Sequence, residues 1–105
     1  MSYAAVDQTI REWTDANVKK LFVEWDNAEA RFCYLSSPQG ECYQISIDAP
    51  ENERMWVHVT AVETVDDMQA HLKWLVPISQ LSNALDIAKK TIVESLWRRA
   101  PLKSE

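Results

Sequence analysis

The spacing of apolar residues changes twice along the chain. Val6, Ile10 and Trp13 stand at i, i+4 and i+7, one apolar stripe of a helix, which predicts a helix over 4–15 with Ser2 in position to cap it. From Lys19 the period becomes two, with Leu21, Val23 and Trp25 alternating against Lys20, Phe22 and Glu24. Such alternation is the signature of a strand with one buried face.

The tetrapeptide Asp26-Asn27-Ala28-Glu29 is turn-like, and alternation resumes from Arg31 to Leu35, so 19–36 is expected to form a hairpin. A four-residue loop pairs Val23 with Phe32 and Trp25 with Ala30, placing the apolar residues on one face. A second turn at Ser36 to Gln39 pairs Phe32 with Tyr43, Ala30 with Ile45 and Cys33 with Cys42. A fourth strand over 54–64 turns Met55, Val57, Val59 and Ala61 to the same side. His71 to Val76 is expected to be a fifth strand, with Leu72, Trp74 and Val76 inward; a helical turn started by Asp66 and Asp67 is the alternative.

From Pro77 onward the spacing returns to three and four. Ile78, Leu81, Leu85, Ala88, Ile92 and Leu96 mark a long C-terminal helix running to about Arg98. An apolar helix stripe and a half-apolar sheet each need a partner layer. The expected fold is therefore α+β: a two-layer sandwich in which an antiparallel meander of four or five strands carries the N-terminal helix and the long C-terminal helix on one face. Val23, Phe32, Ile45, Val57 and Leu85 form its expected core.

With 105 residues and no repeat or linker, the whole of 1–105 is expected to be one domain, and 47 % apolar with 26 % charged residues is a globular composition. The net charge of -5 repels phosphate backbones and anionic membranes, so neither nucleic acid nor a membrane surface is an expected partner. Arg98, Arg99 and Lys103 are read as cations complementing a helix C-terminus. No apolar run approaches the roughly 20 residues of a membrane span, and Asp7, Arg11, Glu12 and Asp15 fall where a signal peptide is apolar. A cytoplasmic protein with reduced thiols is expected.

Candidate chemistry is sparse. The single glycine, Gly40, leaves no phosphate-cradling loop, and no cofactor is implied. Cys33 opposite Cys42 is read first as two small sheet residues and second as a redox pair. His58, diagonal to Cys42 in that register, adds a third soft ligand for zinc, but the spacing matches no zinc motif and a fourth ligand is missing. His71 has no assigned role. The carboxylates Glu51, Glu53, Asp66 and Asp67 fall in expected loops, where charge is ordinarily solvated. No catalytic or metal-binding set emerges.

Five tryptophans carry more information. Trp13, Trp25 and Trp74 fall on expected core faces, and Trp97 near the end of the last helix. Trp56 is sent to the opposite sheet face, with Phe22, Cys33, Leu35, Cys42, His58 and Val62 beside it, joined by Leu75 in a fifth strand. An apolar patch where a sheet face ought to be polar marks contact with another chain, and an aromatic at its centre is a frequent hot spot. The alternative is a cover formed by a loop or terminus. The expected protein-binding residues are Phe22, Cys33, Leu35, Trp56, His58 and Val62.

The order helix, antiparallel meander, long helix in a small acidic chain resembles the class I chaperones of type III secretion. At the same coarse level it is similar to small acidic bacterial immunity proteins. The resemblance covers topology and acidity over most of the chain and carries no residue roles. It implies a bacterial, non-enzymatic binding module whose partner is another protein chain; the patch around Phe22 and Trp56, if self-complementary, makes that partner a second copy in a homodimer. A thiol-dependent enzyme or redox sensor centred on Cys33 and Cys42 is the alternative.

Overall fold

A computed structural model describes residues 3–36, 42–62 and 72–96. The chain runs α1 (Asp7–Asn17), β1 (Phe22–Trp25), β2 (Ala28–Ser36), β3 (Cys42–Ile47), β4 (Arg54–Val62), β5 (Leu72–Pro77) and α2 (Leu81–Thr91). A 3₁₀ turn at Ile78–Gln80 leads into α2, and a π-helical turn at Ile92–Leu96 continues it. The five strands form one antiparallel meander in the order β1-β2-β3-β4-β5. The expected α+β fold, with its fifth strand, is present.

The stripes predicted for the helices are the ones buried. Val6, Ile10 and Trp13 of the first helical segment, and Leu81, Leu85, Ala88 and Ile92 of the second, close over Tyr43, Ile45, Ile47, Met55, Val57, Val59 and Ala61. Each large aliphatic side chain fully removed from water contributes about 1.5–3 kcal/mol. The two helices are also stitched to each other. Trp13 Nε1 donates to Asp86 Oδ1 at 2.8 Å, and Lys89 Nζ donates to Asn17 Oδ1 at 3.0 Å. The buried Thr14 hydroxyl is satisfied within α1 by the Ile10 carbonyl at 2.9 Å.

Helix ends differ from expectation. Val6 occupies the N-cap of α1, preceded by a turn in which the Val6 and Asp7 amides donate to the Tyr3 carbonyl; Ser2 lies outside the described residues. Pro77 is the last residue of β5, opposite Arg54, so the 3₁₀ turn begins one residue later. Residues 97–105, with Trp97, Arg98, Arg99 and Lys103, lie outside the described residues, as do 37–41 and 63–71, with Asp66, Asp67 and His71.

Both sheet registers near β2 correct the sequence reading. The first hairpin closes through a two-residue turn, with Trp25 opposite Ala28 rather than Ala30. Asp26 and Asn27 have φ of 55° and 67°, the backbone of a type I′ turn, whose twist matches that of paired strands. The register then slips: Glu24 faces Glu29 but Phe22 faces Phe32, so Ala30 and Arg31 stand together opposite Val23. This is a β-bulge, and it reverses the alternation on either side. In the second hairpin Cys33 faces Ile45 and Cys42 faces Ser36, three residues away from the expected pairing. A shift by an odd number exchanges which residues share a face.

Three core assignments fall with that shift. Val23 is 41 % exposed and Trp25 67 % exposed, while Phe32 is buried on the face away from the helices. Ile45, Val57 and Leu85 do share the core.

Candidate functional site: the open face of the sheet

The burial of β4 alternates strictly, which sends Trp56, His58, Thr60 and Val62 to the face without helices. Cross-strand pairing places Cys42 beside Val62, Ser46 beside His58 and Leu75 beside Trp56 on that face. Of the expected protein-binding residues, the open face therefore carries Phe22, Trp56, His58 and Val62. Cys33 and Leu35 belong to the other face: Cys33 is 1 % exposed within the core and Leu35 packs against it. The slip of the second hairpin is the cause.

That slip also separates the two cysteines. They stand on opposite faces, with Cys33 three residues along β2 from the partner of Cys42, a distance of about 10 Å. Disulfide geometry requires Cα atoms within about 7 Å, so the redox pair and the zinc reading of Cys33, Cys42 and His58 lose their geometric basis. Burial pushes the Cys33 thiol up to about 12, leaving it protonated at neutral pH and a poor nucleophile. His58 faces Ser46, and its Nε2 lies 3.1 Å from Asp48 Oδ2. Among the described residues no group of three or more His, Cys, Asp or Glu side chains could hold a metal ion.

The bulge brings onto the open face an aromatic group that sequence reasoning divided between two layers. Phe22 stacks on Phe32 at 5.1 Å with rings 7° apart, and Tyr34 meets both edge-on at 5.5 and 5.9 Å. Trp25 packs edge-on against Phe32 at 6.1 Å. Such pairs contribute about 0.5–1.5 kcal/mol beyond simple burial, and together they bury Phe32 without a covering helix. Gln44 Nε2 donates to the Tyr34 hydroxyl at 3.3 Å, continuing the group toward the centre of the sheet.

A second group lies across β4 and β5. Lys73 Nζ sits 4.8 Å above the Trp56 ring, and His58 lies 6.3 Å from it. Lys20 Nζ caps Phe22 in the same way at 4.7 Å. Phe22 thus has Lys20 and Phe32 packed against it, and Trp56 has Lys73. The faces of these rings are thus partly occupied, and the large exposed apolar side chains on this side are those of Trp25 and of Leu75, 44 % exposed.

Between Trp25, Phe32, Gln44, Ser46 and Asp48 lies a cleft of about 450 Å³ with Tyr3 and Arg31 in its wall. The Arg31 guanidinium is committed within the fold. Its Nε and Nη2 donate to Asp7 at 2.8 and 3.1 Å, and its Nη1 donates to the Ala30 and Val23 carbonyls at 2.6 and 3.3 Å. It has no spare fork for an incoming anion.

The Asp26-Asn27 dipeptide, whose two residues tolerate left-handed backbone, signals the two-residue turn, but that turn moves the register by an even number and leaves the faces of Trp25, Phe32 and Tyr34 unchanged. Their place on the open face follows from the three-residue slip between β2 and β3, for which spacing gives no signal. No described helix is long and apolar enough to cross a membrane. No family model, no curated protein and no solved structure matches the chain.

Proposed function

We propose that the chain is a non-enzymatic protein-binding module, of chaperone, immunity or adaptor type, that holds another protein chain on the open face of its sheet. One observation carries this reading. The face that both helices leave uncovered bears Phe22, Phe32 and Tyr34 with the exposed Trp25 at one side, and Trp56 with the exposed Leu75 at the other. Tryptophan and tyrosine are the residues most often found at the energetic centre of protein interfaces, because a large rigid ring buries much area at small entropic cost. The lysine caps on Phe22 and Trp56 favour contact through ring edges and side-chain surface, which suits a protein partner better than a stacked base.

The test compares capture by the wild-type chain and by the double variant Trp25→Ser, Trp56→Ser from lysate of the native host. Neither residue belongs to the helix-side core, so circular dichroism of the variant is expected to match the wild type. A partner bound stoichiometrically by the wild type and lost from the variant supports the reading. Equal retention by both proteins overturns it.

A further inference from the structure

We propose that the outer edge of β5, which no described strand pairs, joins β5 of a second copy of this chain, uniting two five-stranded sheets about a two-fold axis at Trp74. This contact runs through the backbone of the sheet edge and the helix-side groove, and shares Leu75 with the open face, so Ile87→Glu tests it independently of that face.

The two edges of the sheet are unlike. β1 is only four residues long, faces a bulge and follows Lys19 and Lys20; short, bulged and charged is how natural sheets blunt an edge. β5 is six residues long, regular against β4 throughout, and has one charge, on Lys73. That charge does not guard the edge, because Lys73 leans back over the Trp56 ring of its own sheet at 4.8 Å.

The ladder fixes which backbone groups β5 presents outward. The Ile78 amide donates to the Glu53 carbonyl at 3.0 Å, continuing the register that pairs Arg54 with Pro77. In an antiparallel ladder the bonded pairs alternate, so Val76, Trp74 and Leu72 turn their amides and carbonyls toward β4. The Asp48 amide, which donates to Trp56 at 3.0 Å, gives the same parity from the other side of β4. Lys73 and Leu75 therefore direct N–H and C=O to the free edge. Pro77, with no N–H to offer there, sits where an edge tolerates proline.

A second β5 fits this edge in one favoured register. Both helix layers lie on the same side only when paired residue numbers have the same parity. Trp74 opposite Trp74 of the copy makes Lys73 and Leu75 exchange both bonds with Leu75 and Lys73 of the copy. All four outward groups of each strand are then paired. The register with Lys73 at the axis opposes two like charges, and the register with Leu75 at the axis leaves the Lys73 carbonyl unpaired.

The self-complementary register argues for a copy as the occupant, and the local absence of charge permits it. The chain carries -5 overall, so two copies repel wherever their acidic surfaces meet. Beside β5, however, a groove of about 220 Å³ runs along α2, lined by Trp74, Ala84, Ile87 and other residues none of which is charged. Ile87 is 43 % exposed there. Across the axis the groove of one copy faces that of the other, and the Trp74 pair, with Cα atoms about 4.5 Å apart, lies between them.

The test is sedimentation of the full chain over a range of concentrations. The wild type is expected at twice the chain mass of 12.1 kDa. Leu75→Pro removes an outward N–H that no bond among the described residues uses, and Ile87→Glu places like charges across the axis without touching the backbone. Each is expected to weaken the dimer at least hundredfold with an unchanged circular dichroism spectrum; if Leu75→Pro does not fold, Ile87→Glu decides. A wild type that is monomeric throughout overturns the proposal. So does a dimer that survives Ile87→Glu, or one that dissolves only in the open-face variant Trp25→Ser, Trp56→Ser.

Discussion

Arg31 and Asp7, 24 residues apart, are joined by two hydrogen bonds, Nε to Oδ1 at 2.8 Å and Nη2 to Oδ2 at 3.1 Å. The pair fastens the first turn of α1 to the bulge of β2, and the same guanidinium lies 4.3 Å from the centre of the Tyr3 ring. Tyr3 in turn donates its hydroxyl to the Ile47 carbonyl at 2.7 Å. One buried cation thus holds the N-terminal turn, the bulge and β3 in a single arrangement. Asp7→Ala removes the close counter-charge of that cation and leaves only the exposed Glu29, 3.5 Å away, where breaking a fully buried pair costs about 3–5 kcal/mol. Here the Asp7 side chain keeps 30 % of its exposure, so a loss of about 2–3 kcal/mol is expected, read as a lower urea midpoint with unchanged slope.

The same pair gives the fold an acid-sensitive component. The hydrogen bonds from Arg31 hold the Asp7 carboxyl below the usual carboxylate range. The unfolded chain, with an ordinary aspartate near 4, binds the proton first. The stabilisation is therefore complete above about pH 4 and is lost as pH falls through the lower folded value. Urea midpoints at descending pH are expected to drop more steeply for the wild type than for Asp7→Asn, whose side chain does not titrate. Parallel curves would show that other carboxylates govern acid unfolding.

How much of this was legible in the sequence depends on how local the cause is. The helix stripes of Val6, Ile10 and Trp13 and of Leu81, Leu85 and Ala88, and the alternation of β4, are regular over several turns or pairs, and each was readable from spacing. The face of Trp56, His58 and Val62 followed from them. The faces of Val23, Phe32, Cys33 and Leu35 did not, because they depend on hairpin lengths and on a bulge. The Ala30-Arg31 bulge is held by a carboxylate on α1, and spacing within β2 carries no trace of that partner. The slip of the second hairpin, which sets Cys33 opposite Ile45, exchanges Phe32 and Cys33 between the faces, and the bulge then brings Phe22 beside Phe32.

The exchange is directly visible to a thiol reagent. Cys33 is buried under the helices with its thiol pushed up to about 12, whereas Cys42 is half-buried on the open face. Native protein treated with iodoacetamide near pH 8 is expected to be labelled at Cys42 alone, with Cys33 reacting only on unfolding. Because the two thiols stand on opposite faces, mild oxidation is expected to give no bond between them within one chain. Mass spectrometry of labelled and oxidised peptides reports both outcomes. An intrachain Cys33–Cys42 disulfide formed under native conditions would contradict the register.

Backbone strain identifies one position where the fold is open to improvement. Asn52 and Glu53 form the turn before β4 with φ of 54° and 64°, and Glu51 and Arg54 exchange backbone bonds at 2.7 and 3.0 Å across it. Asparagine suits such a turn, but glutamate is an uncommon occupant of the left-handed region, where its Cβ crowds the following carbonyl. Glu53→Gly produces the Asn-Gly pair preferred at both central positions and keeps the carbonyl that accepts from Ile78. A gain of about 0.5–1 kcal/mol is expected after the greater freedom of glycine in the unfolded chain is offset. Thermal or urea unfolding measures it.

Phe32 and Val23, expected from spacing to pair in one core, separate the two registers of the first hairpin by experiment. In the observed register Phe32 is 6 % exposed at the centre of the ring group formed by Phe22, Trp25 and Tyr34, and Val23 is 41 % exposed opposite the bulge. Phe32→Ala removes the ring on which the others pack, and the cost is expected at about 3–4 kcal/mol, within the range for buried phenylalanine. Val23→Ala removes two methyl groups from a partly solvated site and is expected to cost under about 1 kcal/mol. Had the two side chains faced each other in the helix-side core, Val23→Ala would instead cost more than that, because a buried cavity adds to the lost transfer energy. Phe32→Ala is further expected to raise the exposure of Trp25 and Phe22 and thereby shift the intrinsic tryptophan emission to longer wavelength, whereas Val23→Ala leaves the emission unchanged. Urea midpoints of the two single variants, read with that emission, distinguish the registers: equal costs for both substitutions, or a larger cost at Val23, would place these residues in the core and remove Phe32 and Trp25 from the open face.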